Sequence, residues 1–187
     1  MKRWARAALG FAAVAFALAF TPHAQAQRAE APETSVKAAF LYKFAGYIEW
    51  PEKAFAAAEA PFVIGVLGSD DVAADLGRIV PGRSIAGHPV VVRRLKEGEP
   101  LRGVHLLFVG KDESARLSAI LKAAQQQGVL AVTESERGLE AGSAINFVVS
   151  EDRVGFEVSL EAAEKSGHRI SSRMLAVARR VLPRAAS

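Results

Sequence analysis

Apolar positions along the chain fall into two regimes. Residues 62–67 are a continuous apolar run, the pattern of a strand buried on both faces, and 90–95, a β-branched segment, 104–109 and 129–133 are further predicted strands. Between them the spacing becomes helical. Ser69 or Asp70 can cap a helix over about 71–79, and Leu117, Ile120, Leu121 and Ala124 recur at i, i+3, i+4 and i+7 in a helix over about 113–127 that Gly128 ends. Turns at Pro81-Gly82 and Ala86-Gly87 bracket a short segment holding Ser84 and Ile85. Later, 144–149 and 154–160 flank Ser150-Glu151-Asp152-Arg153 and predict a hairpin. A helical region, interrupted near Gly167-His168, is predicted over about 160–182. Strands alternating with helices imply an α/β fold. We expect a three-layer, Rossmann-like sandwich with a mainly parallel sheet and an antiparallel hairpin at one edge.

The stretch 36–51 stands apart. Aromatic residues make up 7% of the chain, yet Phe40, Tyr42, Phe44, Tyr47 and Trp50 crowd into these sixteen positions. Read as a helix, Phe40, Leu41, Phe44 and Ile48 form one apolar stripe, with Thr34 or Ser35 as the cap and Pro51 as the stop. Lys43, Tyr47 and Trp50 form a second, amphipathic stripe beside it. That stripe either packs under a loop or is a docking surface, since Tyr and Trp combine large area with a polar tip.

The N-terminus changes the charge picture. Lys2, Arg3 and Arg6 precede an uncharged apolar run over residues 7–20, and Ala24-Gln25-Ala26 supplies a small-x-small site. The run is shorter than the roughly 20 residues a spanning helix needs. We therefore expect a cleaved export signal over 1–26 and one domain over 27–187. The formal net charge of +4 then falls to 21 basic against 20 acidic residues, which removes the main support for nucleic-acid binding. No cysteine is present, so disulfides contribute nothing.

Candidate chemistry is sparse. The turn Gly65-Val66-Leu67-Gly68-Ser69 is not a Gly-x-Gly-x-x-Gly fingerprint, but ligands in such folds bind beyond the carboxyl ends of strands. Gly68, Ser69 and Asp70 are therefore the candidate small-molecule site. His88, His105 and His168 have no metal-ligand spacing, and no cofactor or metal is expected. Gly82-Arg83-Ser84-Ile85-Ala86-Gly87 is not a nucleophile elbow, so a catalytic role is not expected. Arg169, Arg173, Arg179, Arg180 and Arg184 would give the last helix a basic face, either solvated or suited to an acidic partner.

The aromatic segment closing on Glu49-Trp50-Pro51 is followed by the strand at 62–67, then Gly87-His88-Pro89-Val90-Val91-Val92 and Gly142-Ser143-Ala144-Ile145-Asn146-Phe147. Val154-Gly155-Phe156-Glu157-Val158 and Ile170-Ser171-Ser172-Arg173-Met174-Leu175 complete an order that resembles the YfiR family of periplasmic regulators. The resemblance implies a Rossmann-like α/β domain. It also implies a dimer that represses an inner-membrane diguanylate cyclase by binding its periplasmic domain, and that an OmpA-like outer-membrane lipoprotein can sequester. Lys43, Tyr47, Trp50, Arg169 and Arg173 are the residues we expect at the partner surface. A periplasmic small-molecule sensor is the alternative.

Overall fold

The computed structural model describes residues 32–184; the expected export signal lies outside the described residues. In chain order the elements are α1 (Glu33–Gly46), β1 (Ile48–Glu49), β2 (Phe62–Leu67), α2 (Asp70–Ile79), β3 (Ser84–Ile85), β4 (His88–Leu95) and β5 (Leu106–Val109). They continue with α3 (Leu117–Gln126), β6 (Leu130–Thr133), β7 (Ile145–Ser150), β8 (Arg153–Ser159), α4 (Leu160–Lys165), β9 (Arg169–Ile170), α5 (Ser172–Leu175) and β10 (Arg180–Leu182).

Eight strands form one sheet in the order β10-β8-β7-β6-β5-β2-β4-β3. Pairings are parallel except β3 with β4 and β7 with β8. The fold is therefore α/β with a mainly parallel sheet. The predicted hairpin is β7–β8, and β10 adds one more parallel strand outside it, with Arg180 opposite Glu157. β1 and β9 form a separate antiparallel ribbon.

Period-two alternation sends each strand's side chains to opposite faces. Phe62, Ile64, Val66, Leu106, Phe108, Leu130 and Val132 join α1 and α2 in the larger core. The intervening Leu67, Leu107, Val109 and Ala131 pack instead with Leu117, Leu121 and Ala124 of α3. Helices thus cover both faces. Phe44 of α1 is the keystone of the larger core over the hairpin, 4.8 Å from the Phe156 ring and 5.6 Å from that of Phe147. Phe44→Ala is expected to destabilise the protein by about 3–5 kcal/mol, the range for a buried phenylalanine truncated in a core. Urea unfolding measures it, as a lower midpoint at unchanged slope.

Three expectations about local structure need correction. The aromatic helix stops at Gly46, not at Pro51. The Tyr47 N–H bonds back to Phe44 O at 2.9 Å, and the chain then turns extended to pair Ile48 with Ile170. Glycine at the last helical position lowers the cost of leaving the helix, and the ribbon pairing takes the residues beyond it. Second, Thr34 and Ser35 do not cap; they lie in the first turn and donate to the Asp75 carboxylate at 3.0 and 2.7 Å, tying α1 to α2. Third, the closing helical region breaks near Gly167-His168 as expected but is not helical throughout the rest of 160–182. Only α4 and the short α5 form, separated and followed by β9 and β10. Ser171 caps α5, its side chain accepting from Met174 N at 3.4 Å.

Candidate functional site

The ribbon brings distant residues to one surface. Glu49 lies opposite Arg169, and the Ser171 N–H donates to Tyr47 O at 2.9 Å, so Arg173 follows two residues from Tyr47's own partner. Tyr47 is 43% exposed, which is high for a large aromatic side chain, and Lys43 sits one helical turn before it, also exposed. Arg169 Nε is 3.9 Å from Glu49 Oε2 across two exposed side chains, a pairing of little energetic weight.

The other arginines of this region are engaged. Arg180 holds Glu157 through two bonds of 2.9 and 2.8 Å, Arg184 pairs with Glu164, and Arg179 donates to Arg153 O at 3.2 Å. The expected basic helical face is thereby dispersed. Among the described residues Arg173 makes no ion pair. Trp50 does not join the surface stripe with Lys43 and Tyr47. Its indole N–H donates to Ala45 O at 2.8 Å, and its ring packs edge-on against Phe62 and His168 at 4.8 and 4.7 Å. It props the ribbon from beneath.

Gly68, Ser69 and Asp70 occupy a second location. From β2 the chain crosses to β4 on one side, whereas β5 and β6 lie on the other, so β2 and β5 flank the topological switch point. A cleft of about 370 Å³ opens there, lined by Gly68, Ser69, Asp70, Asp71, Lys111, Asp112 and Glu134. Two glycines make the loops fit. Gly110 N–H donates to Leu67 O at 2.8 Å, and a Cβ on Gly110 would overlap the Gly68 carbonyl oxygen. Gly68 adopts φ +71°, and a Cβ there would lie 2.7 Å from Glu113 Cγ. Lys37 of α1, only 3% exposed, pairs with Glu33 and with Glu134 of the cleft wall. Burial pulls the Lys37 pKa down, but hydrogen bonds to the two carboxylates outweigh it and the net shift is upward; the Lys37 bond correspondingly lowers Glu33.

His88, His105 and His168, scattered in the sequence, are gathered near the amino ends of strands. Phe55 stacks on His88 at 3.6 Å and on His105 at 4.8 Å, while Trp50 lies against His168. His105 is a satisfied buried histidine, as its place at the head of a strand leads one to expect. Its Nδ1 accepts from Val63 N–H at 3.1 Å, so Nε2 carries the proton and donates to Ala54 O at 3.1 Å. His168 differs: it is 2% exposed, and its Nδ1 is buried without a hydrogen-bond partner among the described residues. Burial, reinforced by the nearby His105, pushes its pKa down to about 4. The sequence carries no signal for this cluster beyond the aromatics at 50, 55 and 62 that knit it together. Among the described residues no three His, Asp or Glu side chains are arranged to hold a metal ion.

Comparison with known proteins gives the context. A model of the YfiR/HmsC-like family matches residues 34–179. The chain belongs to this family. Family members are periplasmic regulators, in keeping with the regulatory, cyclic-di-GMP-related theme that the resemblance implied. Among the described residues no helix is long and apolar enough to cross a membrane. A search of curated proteins found no match. Among solved structures, a conserved domain protein from Vibrio cholerae O1 biovar El Tor is 12% identical with a TM-score of 0.54, over 80% of this chain and 60% of that one. This chain therefore spans less than two thirds of that protein, and the likeness shows the fold alone. The ABC domain in complex with L-Trp from Streptococcus pneumonia matches at 13% identity and a TM-score of 0.49, over 65% of this chain and 55% of that one.

Proposed function

We propose that the protein is a periplasmic repressor that binds the sensor domain of an inner-membrane diguanylate cyclase, lowering cyclic-di-GMP output and biofilm formation. Membership of the family supports the regulatory and periplasmic parts of this reading. The observation that supports the partner surface is the ribbon, in which Glu49 lies opposite Arg169 and the carbonyl of exposed Tyr47 bonds to Ser171, two residues before Arg173, while neighbouring arginines are held by internal partners. Tyrosine supplies contact area at low entropic cost, and arginine pairs with carboxylates in planar, directional fashion. The fitting partner surface is acidic around an apolar centre. Lys43 extends the basic rim, and Trp50 supports the ribbon from below.

Repression then follows from linkage: the protein must bind the inactive arrangement of the cyclase more tightly than the active one. A homodimer would offer two surfaces to a dimeric cyclase and gain by effective concentration. An OmpA-like outer-membrane lipoprotein competing for the same surface would relieve repression. Tyr47→Ala and Arg173→Ala are expected to leave the urea midpoint unchanged and to weaken the partner at least tenfold, about 1.4 kcal/mol. In cells lacking the gene, these variants should then fail to restore low cyclic-di-GMP where the wild type succeeds. Full complementation by both would move the surface elsewhere.

The switch-point cleft favours a second reading, a periplasmic small-molecule sensor using Gly68, Ser69 and Asp70. Asp70→Ala abolishing a ligand-induced rise in melting temperature would support it.

A further inference from the structure

At the opposite end of the sheet from the switch point, a cleft of about 320 Å³ lies under the ribbon. Its walls include the Trp50 ring and the apolar Ala54, Leu101 and Val104. Two cations, Lys53 and Arg102, also line it, and among the described residues no carboxylate does. His105 and His168 complete the wall. Both His105 nitrogens are committed to the backbone, whereas His168 leaves a buried Nδ1 unpaired. An orphaned buried polar atom costs about 1–3 kcal/mol, and native structures leave few without a reason. The cleft thus sets an aromatic ring beside convergent polar and charged groups, the kind of mixed lining that fixes a ligand's orientation.

We propose that this cleft binds a small organic anion, with an oxyanion group held by Lys53 and Arg102 and a flat apolar body against Trp50. The excess of positive charge selects the sign of the ligand. The indole, with Leu101 and Val104, selects for an apolar body over a bare inorganic ion. The site also has a route to the proposed partner surface. Trp50 directly follows β1 and His168 directly precedes β9, so an occupant presses on both strands of the ribbon bearing Tyr47 and Arg169. That regulatory consequence rests on the partner reading above; the binding site does not.

Benzoate is the test probe, with benzamidine as the cationic control of matching shape. The protein is titrated without any partner, and melting temperature and tryptophan fluorescence are followed; Trp50 and Trp4 are its two tryptophans. Benzoate is expected to raise the melting temperature saturably and to change the fluorescence, while benzamidine does neither. The double substitution Lys53→Gln with Arg102→Gln, at two exposed positions that leave the core intact, is expected to weaken benzoate at least tenfold. The proposal is overturned by the absence of any saturable response, by an equal response to benzamidine, or by unchanged affinity in the double variant. Because no partner is present, failure here leaves the repressor reading standing, and failure of that reading leaves this site intact.

Discussion

Gly110→Ala is expected to destabilise the protein by about 3 kcal/mol or more, among the larger single-site effects available in this fold. The cause is steric and not conformational. Gly110 has φ −75° and ψ 171°, an extended backbone open to any residue. An added Cβ would collide with the Gly68 carbonyl, and Gly68 sits in the left-handed region against Glu113, so neither loop can retreat without disturbing the other. Gly82→Ala is the matched control. Its φ of +72° makes alanine strained, but nothing lies within 4 Å of the new methyl, so a cost of about 1 kcal/mol is expected. Chemical denaturation of the two variants at one pH compares them directly. Equal losses would mean that the loops at the switch point are not in close contact.

The second large effect is acid lability set by His168. Its folded pKa is lowered to about 4, whereas in the unfolded chain it titrates near 6.5. Between these values the unfolded state binds the proton and the folded state does not, so stability falls as pH drops through this window. The difference corresponds to about 3 kcal/mol, fully present above pH 6.5 and lost by about pH 4. His105, also lowered by burial, adds in the same direction. His168→Phe removes the titration and the unpaired Nδ1 while keeping a ring against Trp50. It is expected to be neutral or stabilising at pH 7 and to flatten the slope between pH 4 and 6.5. An unchanged slope in this variant would place the acid-sensitive group elsewhere.

Much of the fold was legible in the sequence because its central strands carry their own signal. The run at 62–67 matches β2, and α2, α3, β6 and the hairpin lie within a few residues of the expected bounds. Burial on both faces demands unbroken apolar runs, and these are unmistakable. After Leu160 the helix α4 and the break near Gly167-His168 were legible, but the strands that follow were not. The Ala, Leu, Met and Arg residues there favour helix locally, yet Arg169–Ile170 and Arg180–Leu182 become strands because β1 and β8 offer them hydrogen-bonding edges. Strands of two or three residues are too short to show alternation. The same long-range pairing explains the surface. Lys43, Tyr47 and Trp50 share a helical stripe only if the helix continues; once it ends at Gly46, Trp50 turns inward while Tyr47 stays out, its carbonyl bonded to Ser171 from the far end of the chain. The grouping of His105 and His168 about Trp50 likewise depends on topology, which no local spacing encodes.

The central claim, that this protein represses by binding a cyclase through the ribbon surface, is tested most directly by one titration. The protein is titrated with the purified periplasmic domain of each membrane-bound diguanylate cyclase of its source organism. The account predicts saturable binding to a specific domain, weakened at least tenfold by Tyr47→Ala or Arg173→Ala, about 1.4 kcal/mol each. Binding to none of the domains, or tight binding unaffected by both substitutions, would contradict it.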